Sequence, residues 1–346
     1  MDTALQAEIS VPQQLAAALT DTAFATLDER GWIRVTGSDR VRWLNGMVTN
    51  SIQALVPGQG CYNFALNAQG RIQGDVNAFA PADDPDALML ESARDQIPTL
   101  LAHLDHFIIM DDVELADITD QRAGVLVIGP NAASVLQRLK LNFPDEPLAI
   151  ESSEWSGSRM TVIRAHGPLV PRFELWAAPE IISSIVTALA QNAPRLSTEA
   201  LEHLRLLEGT PRYGADIRNT DKAHDLPQET AMAGSESRAL HFSKGCYLGQ
   251  EIVERIRSRG NVHRTFSGFE LTGTMPTAGT ILQAEGKNVG EMTSAASIPL
   301  PGRTVQLALG YVRREALDRK LLLEYPGGTA VPVPLPYRAA LPGSNI

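Results

Sequence analysis

The strongest constraint on the fold is a change of sequence pattern near residue 265. Before that point, strand-like segments alternate with longer helical segments. After Arg264, short strand-like segments are separated by glycine and proline turns. These segments are Phe266–Leu271, Thr280–Gln283, Asn288–Ser294, Val305–Val312 and Leu321–Glu324. The series predicts a small all-β barrel or sandwich over residues 265–346, with a proline-rich edge or tail around Pro332, Pro334 and Pro336.

Residues 1–264 predict an α+β region rather than a doubly wound parallel sheet. Strand-like residues 61–66 and 71–80 flank Asn67-Ala68-Gln69-Gly70, a connection typical of a β-hairpin. Apolar residues then recur at helical spacing, at Ile97, Leu100, Leu101 and Leu104. Because paired strands are followed by single helices, the pattern favours α+β packing.

The composition excludes several functional classes. The 346 residues include 40 acidic and 30 basic side chains, and the net charge of −10 argues against broad electrostatic binding of nucleic acid. Two cysteines, Cys61 and Cys246, cannot form a disulfide framework or supply a four-cysteine metal centre. We therefore predict no metal site and a reducing, cytoplasmic setting. No secretory signal or membrane-length apolar run is visible, so no membrane partner is expected.

The stretch Lys244-Gly245-Cys246-Tyr247-Leu248-Gly249-Gln250-Glu251 is a candidate reactive thiol site. The apolar spacing that follows predicts a helix starting at or just after Cys246 and ending at Gly260. A helix N-terminus favours an anion, and Lys244 adds a positive charge two residues from the thiol. An ordinary buried cysteine is the alternative. Gly245 and Gly249 permit close backbone approach, which favours a chemical or binding role.

Two further features carry charge. Glu208 ends an apolar helical run, where a carboxylate is either a structural ion or an acceptor for adjacent N–H donors, as in a pterin ring. After the thiol stretch comes a basic cluster of Arg255, Arg257, Arg259, His263 and Arg264. The cluster is either a solvated helix face or a site for an anion such as phosphate, polyglutamate or RNA backbone.

The thiol stretch resembles the signature of the YgfZ family of folate-binding proteins, relatives of the glycine-cleavage T-protein (aminomethyltransferase). Further segments follow in the family's order: Trp43–Asn50, Gly129–Ala132, Arg205–Gly209 and Gly290–Ser294. The resemblance implies a three-lobed fold with a central tetrahydrofolate channel and a C-terminal barrel. Before the barrel, we expect two interleaved subdomains, one of residues 1–50 with 120–264 and the other of residues 51–119.

The resemblance also implies roles for particular residues. Glu208 would hold the pterin, with Tyr247, Gln250 and Arg264 as further cofactor contacts. Cys246 would carry the chemistry, with Lys244 holding its thiolate. YgfZ-like proteins are implicated in maturation or repair of iron–sulfur enzymes, including those that thiolate tRNA. The expected partners are therefore folate and iron–sulfur client or assembly proteins. Direct nucleic-acid binding is not expected, and tRNA ranks as a minor alternative.

One departure separates the chain from the aminomethyltransferases, which carry paired aspartates in the strand after the hairpin, the first being catalytic. Here the strand contains Gly74-Asp75, so Gly74 takes the catalytic place and only Asp75 remains. The main hypothesis is therefore a tetrahydrofolate-binding helper of iron–sulfur enzymes that uses Cys246. Two alternatives stay open: a folate-dependent aminomethyl- or methyltransferase with Asp75 as its acid, and a non-catalytic folate-binding adaptor.

Overall fold

A computed structural model describes residues 9–220, 225–230, 238–259 and 262–340. Its first sheet is antiparallel and has five strands. They are β1 (Ala23–Thr26), β7 (Ala123–Ile128), β8 (Ile150–Trp155), β9 (Ser158–Arg164) and β10 (Arg172–Ala177), in the spatial order β1-β7-β10-β9-β8. The first strand thus pairs with one about 100 residues later, a non-local contact that local sequence patterns do not reveal.

The second sheet is also antiparallel and five-stranded. Its strands are β2 (Arg30–Thr36), β3 (Gln59–Leu66), β4 (Ile72–Ala80), β5 (Leu88–Ala93) and β6 (Glu114–Asp117), in the order β3-β4-β5-β2-β6. The predicted hairpin is present as β3–β4, and in its turn the Asn67 N–H donates to the Arg71 carbonyl at 3.0 Å.

The expected subdomain boundary at residue 50 needs correction. Strand β2 pairs with β5 on one side and with β6 on the other, so it belongs to the second sheet. Ile33 and Val35 of β2 share a core with Leu90 of β5. Because strand partners are chosen by long-range pairing, the second lobe starts near residue 30, ahead of the helix that follows β2.

The helices cover the outer faces of the sheets and the contact with the barrel. They are α1 (Val11–Thr20), α2 (Arg40–Met47), α3 (Ile97–Asp105), α4 (Ala132–Arg138), α5 (Pro179–Ala190), α6 (Thr198–Glu208), α7 (Gln250–Arg259) and α8 (Arg314–Asp318), with 3₁₀ turns at Arg94–Gln96, Thr119–Gln121 and Arg338–Ala340. Helices α4 and α5 pack on the first sheet, and α2 and α3 on the second. Helices α1 and α6 lie between the first sheet and the barrel. The predicted helix end at Gly260 falls outside the described residues.

The inner faces of the two sheets meet at an aromatic cluster. The Trp32 ring of β2 contacts Trp176 of β10 edge-on, with a centroid separation of 5.1 Å and an interplanar angle of 81°. The ring centroid of Phe79, in β4, lies 6.0 Å from that of Trp32. Edge-to-face contacts of this kind add to the apolar burial of the rings. The cluster therefore joins the two lobes across their interface.

The C-terminal strands form a closed barrel. They are β11 (Arg264–Gly273), β12 (Ile281–Ala284), β13 (Lys287–Leu300), β14 (Arg303–Arg313), β15 (Leu323–Tyr325) and β16 (Gly328–Val333), in the order β11-β14-β13-β12-β15-β16. The predicted α+β architecture with a C-terminal β-barrel is confirmed. The proline-rich end differs from the expected edge or tail at Pro332, which lies in β16 opposite Phe269, because β16 closes the barrel between β11 and β15.

Candidate functional site

The two sheets face each other across a polar space that we call the central cleft. On β10, Phe173 and Leu175 pack against α4 and α5, so the alternate residues Arg172 and Glu174 point the other way, toward the second sheet. The same alternation on β4 turns Asp75 and Asn77 inward. The described polar residues of the central cleft are Arg30, Tyr62, Asp75, Asn77, Glu91, Arg172, Glu174, Glu208 and Arg238.

Glu208 is the last residue of α6 and is only 1% exposed. Its Oε2 accepts a hydrogen bond from Arg172 Nη2 at 2.8 Å. Its Oε1 is buried and has no hydrogen-bond partner among the described residues. Burial raises the pKa of the Glu208 carboxyl, and the charges of Arg172 and Arg238 oppose that rise. A half-satisfied buried carboxylate is energetically unfavourable, so this oxygen marks a place for a donor.

A second buried carboxylate group lies further along the cleft. Glu91 accepts hydrogen bonds from Arg30 Nε and from Asn77 Nδ2, the latter at 2.8 Å. Glu174 accepts from the Trp176 indole N–H at 3.1 Å. Burial, reinforced by the charge of Glu91, raises the pKa of Glu174 to about 7. Burial and the neighbouring Glu91 thus favour the protonated form of Glu174.

Arg238 connects the two ends of the cleft. Its guanidinium carbon lies 5.0 Å from the centroid of the Tyr62 ring, a cation–π contact. Burial lowers the pKa of Arg238, while Tyr62, Asp75 and Glu208 each counteract that effect. Asp75 itself accepts from the Tyr62 hydroxyl at 3.1 Å and from Gln96 Nε2 at 3.0 Å. The cation thus lies within electrostatic reach of both Glu208 and Asp75.

Gly74 has no room for a side chain. A Cβ at this position would lie 2.7 Å from Leu100 Cδ2 and 3.0 Å from Gln96 Oε1. Both neighbours come from the segment that packs α3 onto the second sheet, and Leu100 belongs to the buried core. An aspartate at position 74 would therefore require repacking of this core.

Lys244 does not point a free charge at the thiol. Its buried ammonium donates to the backbone carbonyls of Asn45 and Val48 at 2.7 and 2.6 Å, and to that of Asn50. These three acceptors use all three N–H donors of the ammonium. Burial lowers the pKa of Lys244 to about 8. Its observed contacts anchor the loop to the C-terminal end of α2, which differs from the expected position beside the Cys246 thiolate.

Cys246 is solvent-exposed and lies four residues before α7, which begins at Gln250, later than the sequence predicted. Two glycines, Gly249 and Gly70, allow the loop that carries Cys246 to pack closely against the β3–β4 hairpin. Gly249 has φ +82°, and a Cβ there would lie 2.6 Å from the Asn67 carbonyl oxygen. A Cβ on Gly70 would lie 2.8 Å from Ile252 Cβ. The close backbone approach predicted for Gly245 and Gly249 is thus present at Gly249, as a contact with the hairpin, whereas a Cβ on Gly245 would meet nothing within 4 Å.

Asn50 links the thiol loop to the central cleft. Its carbonyl accepts from Lys244, and its side-chain Nδ2 donates to the Arg238 carbonyl at 2.7 Å. The neighbouring Thr49 hydroxyl donates to the Ala239 carbonyl at 2.6 Å. A continuous hydrogen-bonded path therefore connects the base of the Cys246 loop with the residue whose guanidinium contacts Tyr62.

Tyr247 and Gln250 lie in different surroundings. Tyr247 is buried in an apolar cluster with Phe64 and Val253, and burial raises its pKa to about 12. Its ring centroid is 5.1 Å from Lys244 Nζ. Gln250 is half-buried as the first residue of α7. The structure thus gives Tyr247 a packing role, and cofactor contact by either residue stays a prediction.

Arg264 lies at the junction with the barrel. Its Nη2 donates to Asp225 Oδ1 at 2.8 Å and to Glu229 Oε2 at 2.9 Å. Its guanidinium carbon is 4.8 Å from the centroid of the Tyr311 ring. These contacts hold residues 225–229 against β11 and β14. A contact between Arg264 and a cofactor likewise stays a prediction.

Sequence reasoning missed Arg172, Glu174, Tyr62 and Arg238. A signal was available for the first two, because Arg172-Phe173-Glu174-Leu175 alternates charged and apolar residues within a strand. Such a strand either has a solvent face or lines a polar cleft. No local pattern distinguishes these two cases. Arg238 is placed by hydrogen bonds from Asn50, which lies 188 residues away in sequence.

The two facing sheets, the polar cleft and the added barrel define a folate-utilising, aminomethyltransferase-like architecture. The GCVT N-terminal domain family matches residues 10–233, and the chain belongs to this family. The C-terminal β-barrel domain of CAF17 matches residues 264–339, the part that forms the closed barrel.

Individual relatives agree with this assignment. A putative chloroplastic transferase of Arabidopsis thaliana is 26% identical over 297 residues, which cover 84% of this chain and 65% of that protein. An aminomethyltransferase of Geobacillus kaustophilus is 24% identical over 96% of this chain and 91% of its own length. The crystal structure of the glycine cleavage system aminomethyltransferase T from Bartonella henselae superposes with a TM-score of 0.79 at 19% identity, covering 95% of this chain and 89% of that chain. Among the helices described, none has the length and apolar character needed to cross a bilayer.

Proposed function

We propose that this protein binds tetrahydrofolate in the central cleft and that Glu208 holds the pterin ring. The observation that carries the proposal is the buried Glu208 Oε1, which has no partner among the described residues. An aminopyrimidine presents adjacent N–H donors, which are the groups a buried carboxylate oxygen requires. The GCVT family and the aminomethyltransferase relatives support the same ligand class.

The surrounding residues fit such a ligand. Arg172 holds the other oxygen of Glu208 and orients the carboxylate. Burial, together with the charges of Arg238 and Arg172, lowers the pKa of His166 to about 4, so this imidazole is neutral at pH 7. The rings of Trp32 and Trp176 border the far end of the cleft. Tetrahydrofolate, when bound, would supply a carrier for one-carbon groups.

The role of Cys246 is the second part of the proposal. The thiol is exposed, and its loop is tied through Lys244 and Asn50 to Arg238 in the cleft. A ligand that moves Arg238 would therefore also shift Asn50 and Lys244, and with them the loop that carries Cys246. We assign Cys246 to contact with an iron–sulfur client or assembly protein, in line with the resemblance of residues 244–251 to the YgfZ signature. A cytoplasmic location belongs to the same proposal.

The transferase alternative has less support. By the resemblance, Gly74 takes the place of the catalytic aspartate, but position 74 faces the packed α3 core, and Asp75 is the residue that faces the central cleft. The remaining Asp75 is held by Tyr62 and Gln96. Tolerance of both Asp75→Asn and Cys246→Ala in cells would favour the non-catalytic folate-binding adaptor instead.

Calorimetric titration of tetrahydrofolate tests the first part of the proposal. We expect Glu208→Gln to weaken binding by about 10- to 100-fold, because a hydrogen bond to a charged acceptor contributes about 1.5–3 kcal/mol. Glu199→Gln is the matched control, since Glu199 is exposed on the same helix. An absence of binding by the wild-type protein, or equal affinity in the Glu208→Gln variant, would contradict the proposal.

Complementation tests the second part. In cells that lack the endogenous gene, we expect Cys246→Ala to lose support of iron–sulfur enzyme activity while retaining folate affinity and stability. Cys61→Ala is the control, because Cys61 is a half-buried residue of a core strand. Full complementation by Cys246→Ala at normal protein level would show that the function does not need the thiol. The proposal of folate binding at Glu208 would be unaffected.

A further inference from the structure

The segment between α3 and β6 exposes two large apolar side chains to solvent. Ile109 is 83% exposed and Met110 is 94% exposed, more than any other large apolar residue in the described part of the chain. The two residues are adjacent, and we call them the apolar tip. Single exposed apolar side chains are common on protein surfaces, but an adjacent pair that stands almost fully in water favours a contact site.

The loop is fixed on both sides of the apolar tip. Before the tip, the Trp43 indole N–H donates to the Phe107 carbonyl at 3.3 Å, and Phe107 and Ile108 pack against the core of the second sheet. After the tip, Arg42 Nη2 donates to Asp111 Oδ1 at 2.5 Å. Because the folded loop is held in place, little backbone freedom is lost when a partner covers the apolar tip.

Helix α2 holds both the apolar tip and the loop that carries Cys246. Trp43 contacts the base of the tip, and the Gly46 carbonyl accepts from the Leu248 N–H at 2.9 Å. Trp43 and Gly46 are separated by about 4.5 Å along the helix axis, because an α-helix rises about 1.5 Å per residue. Leu248 also packs against the same core as Phe107. The exposed thiol and the apolar tip therefore come from neighbouring loops.

Acidic side chains outnumber basic ones around the apolar tip. Asp105, Asp111 and Asp112 flank it in sequence, and Arg42 pairs with Asp111 and with Asp39, the latter at 3.1 Å. These four aspartates and one arginine leave a net charge of −3. A protein surface with lysines or arginines complements this charge, whereas an anionic lipid surface would be repelled by it.

We propose that the apolar tip and Cys246 form one docking surface, which binds a protein partner that has an apolar pocket surrounded by basic residues. The inference rests on the proposed contact of Cys246 with an iron–sulfur client or assembly protein, and it adds where that partner binds and what chemistry it presents. Methionine suits such a surface, because its flexible side chain adapts to a partner and is enriched in protein interfaces.

Complementation with a double variant tests the docking surface. Ile109→Ser combined with Met110→Ser should lower the supported iron–sulfur enzyme activity at least about fivefold, as the loss of central apolar contacts weakens an interface. Folate affinity and urea unfolding should match the wild type, because both side chains are exposed. The matched control is Leu322→Ser combined with Val331→Ser, which removes two exposed apolar side chains from the barrel domain.

Photo-cross-linking in the same cells identifies what covers the surface. Benzoylphenylalanine replaces Met110 in one protein and, in another, Ser243, an exposed residue three positions before Cys246. Mass spectrometry should find the same partner protein in both adducts. Asp105→Lys should lower both adduct yields at least about threefold, because it places a positive charge against the basic residues of the partner. Asp318→Lys is the matched control, since Asp318 is exposed on α8.

Several results would overturn the docking surface. These are full activity of the Ile109→Ser and Met110→Ser double variant while Cys246→Ala is inactive, adducts at positions 110 and 243 that contain different proteins, and an adduct at position 110 that contains only a second copy of this chain. Binding of the wild type, but not of the double variant, to phosphatidylcholine vesicles would assign the apolar tip to a membrane instead. A fully active Cys246→Ala variant would contradict the proposed function of the thiol, and a shared adduct at positions 110 and 243 would still support the docking surface.

Discussion

Two buried carboxylates next to α6 have nearly the same exposure and different surroundings. Asp216 is 0% exposed and accepts from Arg205 Nη1 at 2.5 Å, from the Arg212 backbone N–H at 3.0 Å and from the Ser294 hydroxyl at 2.7 Å. The Thr293 hydroxyl donates to it as well. Glu208 is 1% exposed and has, among the described residues, one donor, Arg172.

The difference separates a structural ion from a candidate ligand site. The donors of Asp216 come from α6, from the chain after it and from strand β13, so the carboxylate connects the end of α6 to the barrel. Because both of its oxygens are paired, its burial is compensated. Glu208 keeps one oxygen without a described partner, which is unfavourable unless a ligand completes it. Hydrogen-bond satisfaction, rather than burial, therefore distinguishes the two roles.

The largest expected effect comes from breaking the satisfied site. Asp216→Asn should lower the free energy of unfolding by about 3 kcal/mol, because it removes the charge of a carboxylate that accepts four hydrogen bonds and leaves Glu202 as the remaining counter-ion of Arg205. Glu208→Gln should change it by less than about 1.5 kcal/mol, since the wild-type carboxylate is incompletely paired. Urea unfolding of both variants measures the difference. If Glu208→Gln lowers the free energy of unfolding more than Asp216→Asn does, Glu208 is the structural ion and the assignment is wrong.

Glu174 provides an intermediate case that depends on pH. Its pKa is raised from 4.5 to about 7 in the folded protein, so the folded state binds the proton more tightly than the unfolded chain. Its contribution to stability is therefore present below pH 4.5 and is lost as pH rises to about 7. Glu174→Gln should remove this loss. Its free energy of unfolding should exceed that of wild type by about 1–3 kcal/mol at pH 8 and by much less at pH 4.

Urea unfolding of wild type and Glu174→Gln at several pH values measures this gain. The control is Glu180→Gln, because Glu180 is exposed on α5. A difference between Glu174→Gln and wild type that does not vary with pH would show that Glu174 is not held protonated by burial and by the nearby Glu91.

The smallest effect is expected at the thiol itself. Cys246→Ala should change the free energy of unfolding by no more than about 0.5 kcal/mol, because the side chain is exposed. Gly249→Ala, three residues away, should lower it by more than about 1 kcal/mol, since its φ of +82° and its contact with the Asn67 carbonyl exclude a Cβ. Thermal unfolding compares the two. A large loss for Cys246→Ala would indicate a structural role for the thiol.

Several features of the fold and site were predictable because they are local. The β3–β4 hairpin follows from two alternating segments around a glycine-containing turn, and the barrel follows from short strands with regular turn residues. The close packing of the thiol loop follows from Gly249, because only glycine combines positive φ with a close backbone neighbour. The closing strand β16 was not predictable, because prolines obscure a strand that is stabilised by pairing with β11 and β15.

The sequence by itself determined the α+β architecture, the C-terminal barrel, the carboxylate at the end of α6 and the lone cysteine before α7. The tertiary structure decided the partners of the charged side chains. It directed Lys244 to the carbonyls at the end of α2, brought Arg172 to Glu208, and stacked Arg122 on Trp32. Periodicity and backbone freedom act between neighbouring residues, whereas ionic partners depend on strands and helices that meet only after long-range pairing.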